Sequence, residues 1–155
     1  MAFRGAAFIS ISAALGVGIA SQATALADPA PAVQRVTGIG GIFFRSDDPA
    51  ALATWYRDNL GIDLTPQSYD VEPWQQEAGP TVFAPFNRAT DYFGRDEQMW
   101  MVNFRVADLD AMAAQLRGNG IDVEIDPETY PNGRFARLYD PEGNPIELWE
   151  PAGHD

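Results

Sequence analysis

Two stretches of this chain follow the same grammar about sixty residues apart, and that repetition constrains the fold more than any other feature. Residues 41–45 form a short alternating apolar run, with Ile42 and Phe44 on one side. Asp48-Pro49 then supplies a helix cap and a first-turn proline. Leu52, Trp55 and Tyr56 follow at helical spacing, and Leu60-Gly61 ends the helix. The second stretch alternates at Val102, Phe104 and Val106. It caps with Asp108 and sets Leu109, Met112, Ala113 and Leu116 on one helical stripe, stopping at Gly118 and Gly120. Phe44 aligns with Phe104, Arg45 with Arg105, Asp48 with Asp108, Arg57 with Arg117 and Asn59 with Asn119.

Strand-like segments trail each unit. Residues 62–64, 71–76 and 81–86 follow the first helix, with a turn signal at 77–80. Residues 121–125, 134–139 and 146–149 follow the second, and the last two flank DPEGNP, where Pro141 and Gly143 suit a tight turn. Each half therefore reads β-α-β-β-β, about residues 36–90 and 99–151, with 87–98 as the joining loop. The fold class is α+β, with the helices on one face of the sheet.

The first 27 residues stand apart. Arg4, the small apolar run 5–20 and Ala25-Leu26-Ala27 match a cleaved export leader, with Asp28 starting the mature chain. Residues 28–35 read as a linker and 152–155 as a tail. The expected location is periplasmic or secreted, with no stable membrane association once the leader is removed. The net charge is −12, and more negative still without the leader, which holds Arg4 and no acid. Such a surface repels phosphate backbones, so nucleic acid is excluded as a partner.

Absences narrow the chemistry. There is no cysteine, and all 10 cationic residues are arginine, which removes thiol nucleophiles and Schiff-base lysines. The 1 histidine, His154, lies beside the C-terminus. A histidine-based triad or multi-histidine metal site would need that residue to fold back, and a metal enzyme with ligands from unexpected residues such as Glu77, Asp91 or His154 stays an open alternative.

The doubled pattern, with GIGGIFFRSDDPAALATWYRDNLGI, VNFRVADLDAMAAQLRGNGIDV and GRFARLYDPEGNPIELWEP, resembles the vicinal oxygen chelate superfamily of glyoxalases, bleomycin-resistance proteins and extradiol dioxygenases. The resemblance covers about residues 36–151. It implies paired βαβββ modules forming a curved mixed sheet around a small-molecule cavity, helices outside. The modules can pair within one chain or swap in a homodimer, and the sequence leaves this open. Metal-dependent relatives carry one ligand on each of four strands. Those positions fall on Gly41, near Val82, on Met101 and on Glu147, so only Glu147 keeps a hard donor. The expectation is no metal and no cofactor.

Strand alternation puts Glu147 and Trp149 on the face away from the helices. Phe43, Met101, Asn103, Arg137 and Tyr139 fall on the same expected face and complete a lining of apolar surfaces and polar anchors. For each aromatic the plain alternative is core packing, and for Glu147 it is solvent. Two functions follow: binding of a small, partly apolar or aromatic molecule without metal, or a metal-independent lyase, isomerase or epimerase with Glu147 as general base. Arg45 and Arg105 are expected at strand ends, paired with acids such as Asp47 or Asp108.

Overall fold

The computed structural model describes residues 34–153. The leader (1–27), most of the linker and His154 lie outside the described residues. The chain divides into two units, Met1–Gly41 and Ile42–Asp155. Of the first, residues 34–41 are exposed and carry neither helix nor strand. All further elements belong to the second.

Both expected helices form. Helix α1 spans Pro49–Leu60: the Asp48 side chain accepts from the Ala51 amide and Gly61 closes the end at φ 69°. Only a residue without a Cβ takes that left-handed turn cheaply. Helix α2 spans Leu109–Gly118 with Asp108 accepting from the Ala111 amide. Asn59 and Asn119, which align in the sequence, meet at the helix ends: the Asn119 side-chain amide donates to Asn59 Oδ1 at 3.0 Å.

The sheet comes from the second half. Strands β1 (Val102–Arg105), β2 (Glu124–Ile125), β3 (Gly133–Tyr139) and β4 (Pro145–Pro151) lie in the order β1-β4-β3-β2. Strand β1 runs parallel to β4, and β3 is antiparallel to both β4 and β2. Leu52 and Tyr56 of α1, Leu109, Ala113 and Leu116 of α2, and Ala136, Leu138, Ile146 and Leu148 of the sheet form one buried core, joined by Val123. This is an α+β domain with an open sheet. Leu109, Leu116, Leu138, Ile146 and Leu148 are almost wholly excluded from water, so each contributes about 1.5–3 kcal/mol relative to exposure.

The first half departs from expectation. Residues 41–45, 62–64, 71–76 and 81–86 carry no strand. Strands are stable only with hydrogen-bonding neighbours and a covered face. Here Phe43, Val82 and Phe83 are largely exposed. Their alternation encodes sidedness, but sidedness without a partner edge does not make a ladder.

What joins α1 to the sheet is the turn between β3 and β4. Asp140 is buried and accepts from the Tyr56 hydroxyl at 3.0 Å, the Glu142 and Asn144 amides at 2.9 Å each, and the Asn144 side chain at 2.7 Å. Glu142 reaches the start of α1, accepting from Ser46 Oγ at 2.7 Å and from the Asp47 and Asp48 amides at 3.0 Å each. The Asp48 amide, the Ser46 hydroxyl and the Asp47 amide hold the Glu142 carboxyl below its ordinary value of 4.5. A depressed carboxyl stabilises the fold above its unfolded pKa and loses that contribution as pH falls through the folded value. Glu142→Gln is therefore expected to lower Tm near pH 8, where the ionised carboxylate contributes fully, and to flatten the acid limb of a Tm-against-pH curve below about pH 4.5.

Candidate functional site

Strand register sets the site. Asn103 on β1 pairs with Glu147 on β4, Glu147 pairs with Arg137 on β3, and Arg137 pairs with Glu124 on β2. One row of polar residues thus crosses the whole sheet. Ile146 and Leu148 turn toward the helices and are fully buried, which forces Glu147 to the other face. That face is covered too: Glu147 is only 7% exposed.

Both Glu147 oxygens accept hydrogen bonds. The Tyr92 hydroxyl donates to Oε1 at 2.5 Å and Asn103 Nδ2 donates to Oε2 at 2.7 Å. Arg137 Nη2 lies 3.4 Å from Oε1. Arg137 also donates through Nη1 to the Tyr92 carbonyl at 2.9 Å, and its guanidinium stands 4.5 Å from the Tyr92 ring centre. Burial, then the hydrogen bond to Glu147 and its negative charge, push the Tyr92 hydroxyl up to about 12, although Arg137 pulls the other way. Tyr92 is therefore a neutral donor at any physiological pH.

Of the residues expected in the lining, the structure brings Asn103 and Arg137 onto Glu147. Trp149 lies on the same face in the neighbouring row, opposite Phe135. It is a packed residue: its indole N–H donates to the Asn132 carbonyl at 2.8 Å and its ring stacks parallel to Phe135 at 6.2 Å. Tyr139 ends β3 half-exposed, with its hydroxyl close to Gly94. Met101 immediately precedes β1 and is half-buried. Phe43 is 95% exposed and lies outside this cluster. Arg105 donates to the Glu77 carbonyl at 2.7 Å and not to Asp47 or Asp108. An extended arginine on β1 reaches over the 77–79 loop more readily than back along its own strand.

Tyr92 is the member of this cluster that the sequence did not pair with Glu147. It sits in an irregular stretch with no periodicity to give its direction, so only the short aromatic cluster Tyr92-Phe93 hinted at a covering role.

The family model described as a glyoxalase-like domain matches residues 41–149. The chain belongs to the glyoxalase-like domain family. No curated protein matches the chain in sequence. Among solved structures, TnmS3, an antibiotic-binding protein from Streptomyces sp. CB03234, is 24% identical, with 68% of this chain and 88% of that one covered at a TM-score of 0.43. A glyoxalase/bleomycin-resistance/dioxygenase domain from Frankia sp. EAN1pec is 17% identical, covering 76% and 100% at a TM-score of 0.48. A lactoylglutathione lyase from Agrobacterium tumefaciens is 18% identical, covering 76% and 96% at a TM-score of 0.49.

This glyoxalase-like domain does not offer the donor set that metal-dependent members use. Gly41, Val82 and Met101 provide no oxygen or nitrogen side-chain donor. Glu147 is engaged by three donors, one of them a guanidinium that repels a cation. Among the described residues, no group of three or more His, Cys, Asp or Glu stands ready to hold a metal ion. Two open clefts, about 370 Å³ beside β2–β3 and about 260 Å³ beside α1, are lined without Glu147. Tyr92 covers the Glu147 position.

Proposed function

We propose that this domain is an exported, metal-free binder of a small, partly aromatic molecule, with the row Asn103–Glu147–Arg137 as its polar anchor. The observation that carries the reading is the setting of Glu147. A buried carboxylate without partners is costly, so its place must be supported. Here the support comes from exchangeable side chains on three separate segments and not from backbone. A ligand can take over such donors without breaking the sheet. The export part rests on the leader pattern in residues 1–27. The acidic surface argues against nucleic acid, and no described helix is long and apolar enough to cross a membrane.

The enzymatic reading, a metal-independent lyase, isomerase or epimerase with Glu147 as general base, fits less well. Base work needs a carboxylate lone pair turned to substrate, and a substrate would first have to displace Tyr92 from Oε1 or Asn103 from Oε2. We also propose that two copies associate through the exposed apolar segments around Phe43, Val82 and Phe83, because apolar exposure of this kind marks interaction surfaces.

The test is calorimetric titration of the purified protein with a panel of small aromatic compounds, with and without chelator. Saturable binding that survives chelation is expected, weakened about ten-fold or more in Glu147→Gln, where a charge-assisted hydrogen bond becomes a neutral one. Turnover that survives chelation and collapses in Glu147→Gln would establish the enzyme instead.

A further inference from the structure

The Glu147 position already holds an aromatic ring, and it belongs to the protein. The Tyr92 hydroxyl donates to Glu147, and its ring lies stacked with Phe86 at 5.1 Å and 20° and has the Arg137 guanidinium 4.5 Å from its centre. A phenol is thus met by an acceptor for its proton, a flat apolar neighbour and a cation over its ring. We propose that Tyr92 is an internal occupant of this site and that the external ligand is a neutral hydroxyaryl compound that takes its place, the segment 87–98 acting as a strap that yields.

This rests on the small-molecule reading above and specifies its ligand. The strap is built to move. Its backbone hydrogen bonds are local turns, Thr90 to Asn87, Gly94 to Asp91 and Gln98 to Arg95. Its ties to the sheet run through side chains: Tyr92 to Glu147, Arg137 to the Tyr92 carbonyl, and Arg95 to the Gly143 carbonyl at 3.2 Å. Such ties are individually weak, and segments held this way open at low cost. Lifting the strap breaks no strand pairing. The same geometry sets selectivity. Glu147 accepts a hydroxyl proton and repels a phenolate or carboxylate, and Tyr92 itself is held in the protonated form. A ring without a hydroxyl leaves the Glu147 oxygen short of a donor, which a buried acceptor does not tolerate cheaply.

The test uses the full chain, with 4-methylphenol as the Tyr92 side-chain equivalent and toluene as the ring lacking the hydroxyl. Tyr92→Ala, at an exposed loop position, is expected to bind 4-methylphenol about ten-fold or more tighter than the wild type does, and about ten-fold tighter than it binds toluene. In the wild type, 4-methylphenol is expected to speed hydrogen exchange across 87–98. Equal affinity of Tyr92→Ala for the two compounds overturns the role of Glu147. Binding to the wild type that slows exchange in 87–98 overturns the replacement while leaving small-molecule binding intact. Failure of 4-methylphenol on both proteins, when another aromatic saturates the wild type, removes the hydroxyaryl class alone. If circular dichroism shows Tyr92→Ala unfolded, Tyr92→Phe keeps the ring and loses the competing hydroxyl. Its affinity for 4-methylphenol must then exceed that of the wild type by a few-fold, and an unchanged affinity counts against the proposal.

Discussion

Gly133→Ala is expected to cost about 3–5 kcal/mol of folding stability in urea denaturation, from a strained backbone angle added to overpacking. Gly133 sits at φ 132°, where a side chain is strained whatever the space. There is also no space: an added Cβ would lie 2.1 Å from the Glu150 carbonyl oxygen and 2.7 Å from Trp149 Nε1. The first is backbone within the β3–β4 pairing, next to its end, and does not swing aside as a side chain would. The turn closed by Tyr130 and Gly133 also presents the Asn132 carbonyl that holds the Trp149 indole and the Ala152 amide. Gly120→Ala is the control. Gly120 has φ 77° but nothing within 4 Å of the added carbon, so it should lose only about 1–2 kcal/mol. Equal losses at the two positions would show that close approach at Gly133 is not what requires glycine there.

The second large effect is expected at Asp140. Asp140→Ala leaves the Tyr56 hydroxyl, two backbone amides and the Asn144 side chain without their acceptor. A buried donor left unpaired costs about 1–3 kcal/mol, and partial rescue by water brings the expected total to about 3–5 kcal/mol. For a domain of this size that lowers Tm by about 10 °C or more. Tyr56→Phe removes one of these bonds and should cost about 1 kcal/mol. Burial first, and then Asp140, raises the Tyr56 hydroxyl well above its ordinary 10.0, so it stays a donor throughout. The two changes share a bond, so their costs should fall short of additivity in a double-mutant cycle. Additive costs would mean that the Tyr56–Asp140 bond contributes nothing to holding α1.

Asp140 and Gly133 also show what the sequence does and does not disclose. The turn DPEGNP was readable because proline and glycine restrict φ locally, and the caps at Asp48 and Asp108 because they act within three residues. The helix stripes and the row placing Glu147 opposite Ile146 and Leu148 followed from periodicity, which is also local. The rest depends on partners distant in the chain. Glu142 reaching Ser46 and the amide of Asp48, Arg105 reaching Glu77, and Tyr92 reaching Glu147 are long-range pairings that each involve an irregular segment, and no spacing rule encodes them. The first-half strands failed for the same reason. Alternation around Phe43 and Val82 fixes which side chains share a face, but not whether a neighbouring strand is there to pair. Alternation put Trp149 in the expected ligand lining. In the structure Phe135 stacks on its ring and the Asn132 carbonyl accepts from its indole nitrogen.

The central claim is that Glu147 anchors an organic molecule and not a cation. Native mass spectrometry of the protein, purified from its own host without added metal, addresses it most directly. The account expects a co-purifying organic molecule that Glu147→Gln releases, and no stoichiometric metal. A stoichiometric divalent ion that is retained by the wild type and lost in Glu147→Gln would contradict it.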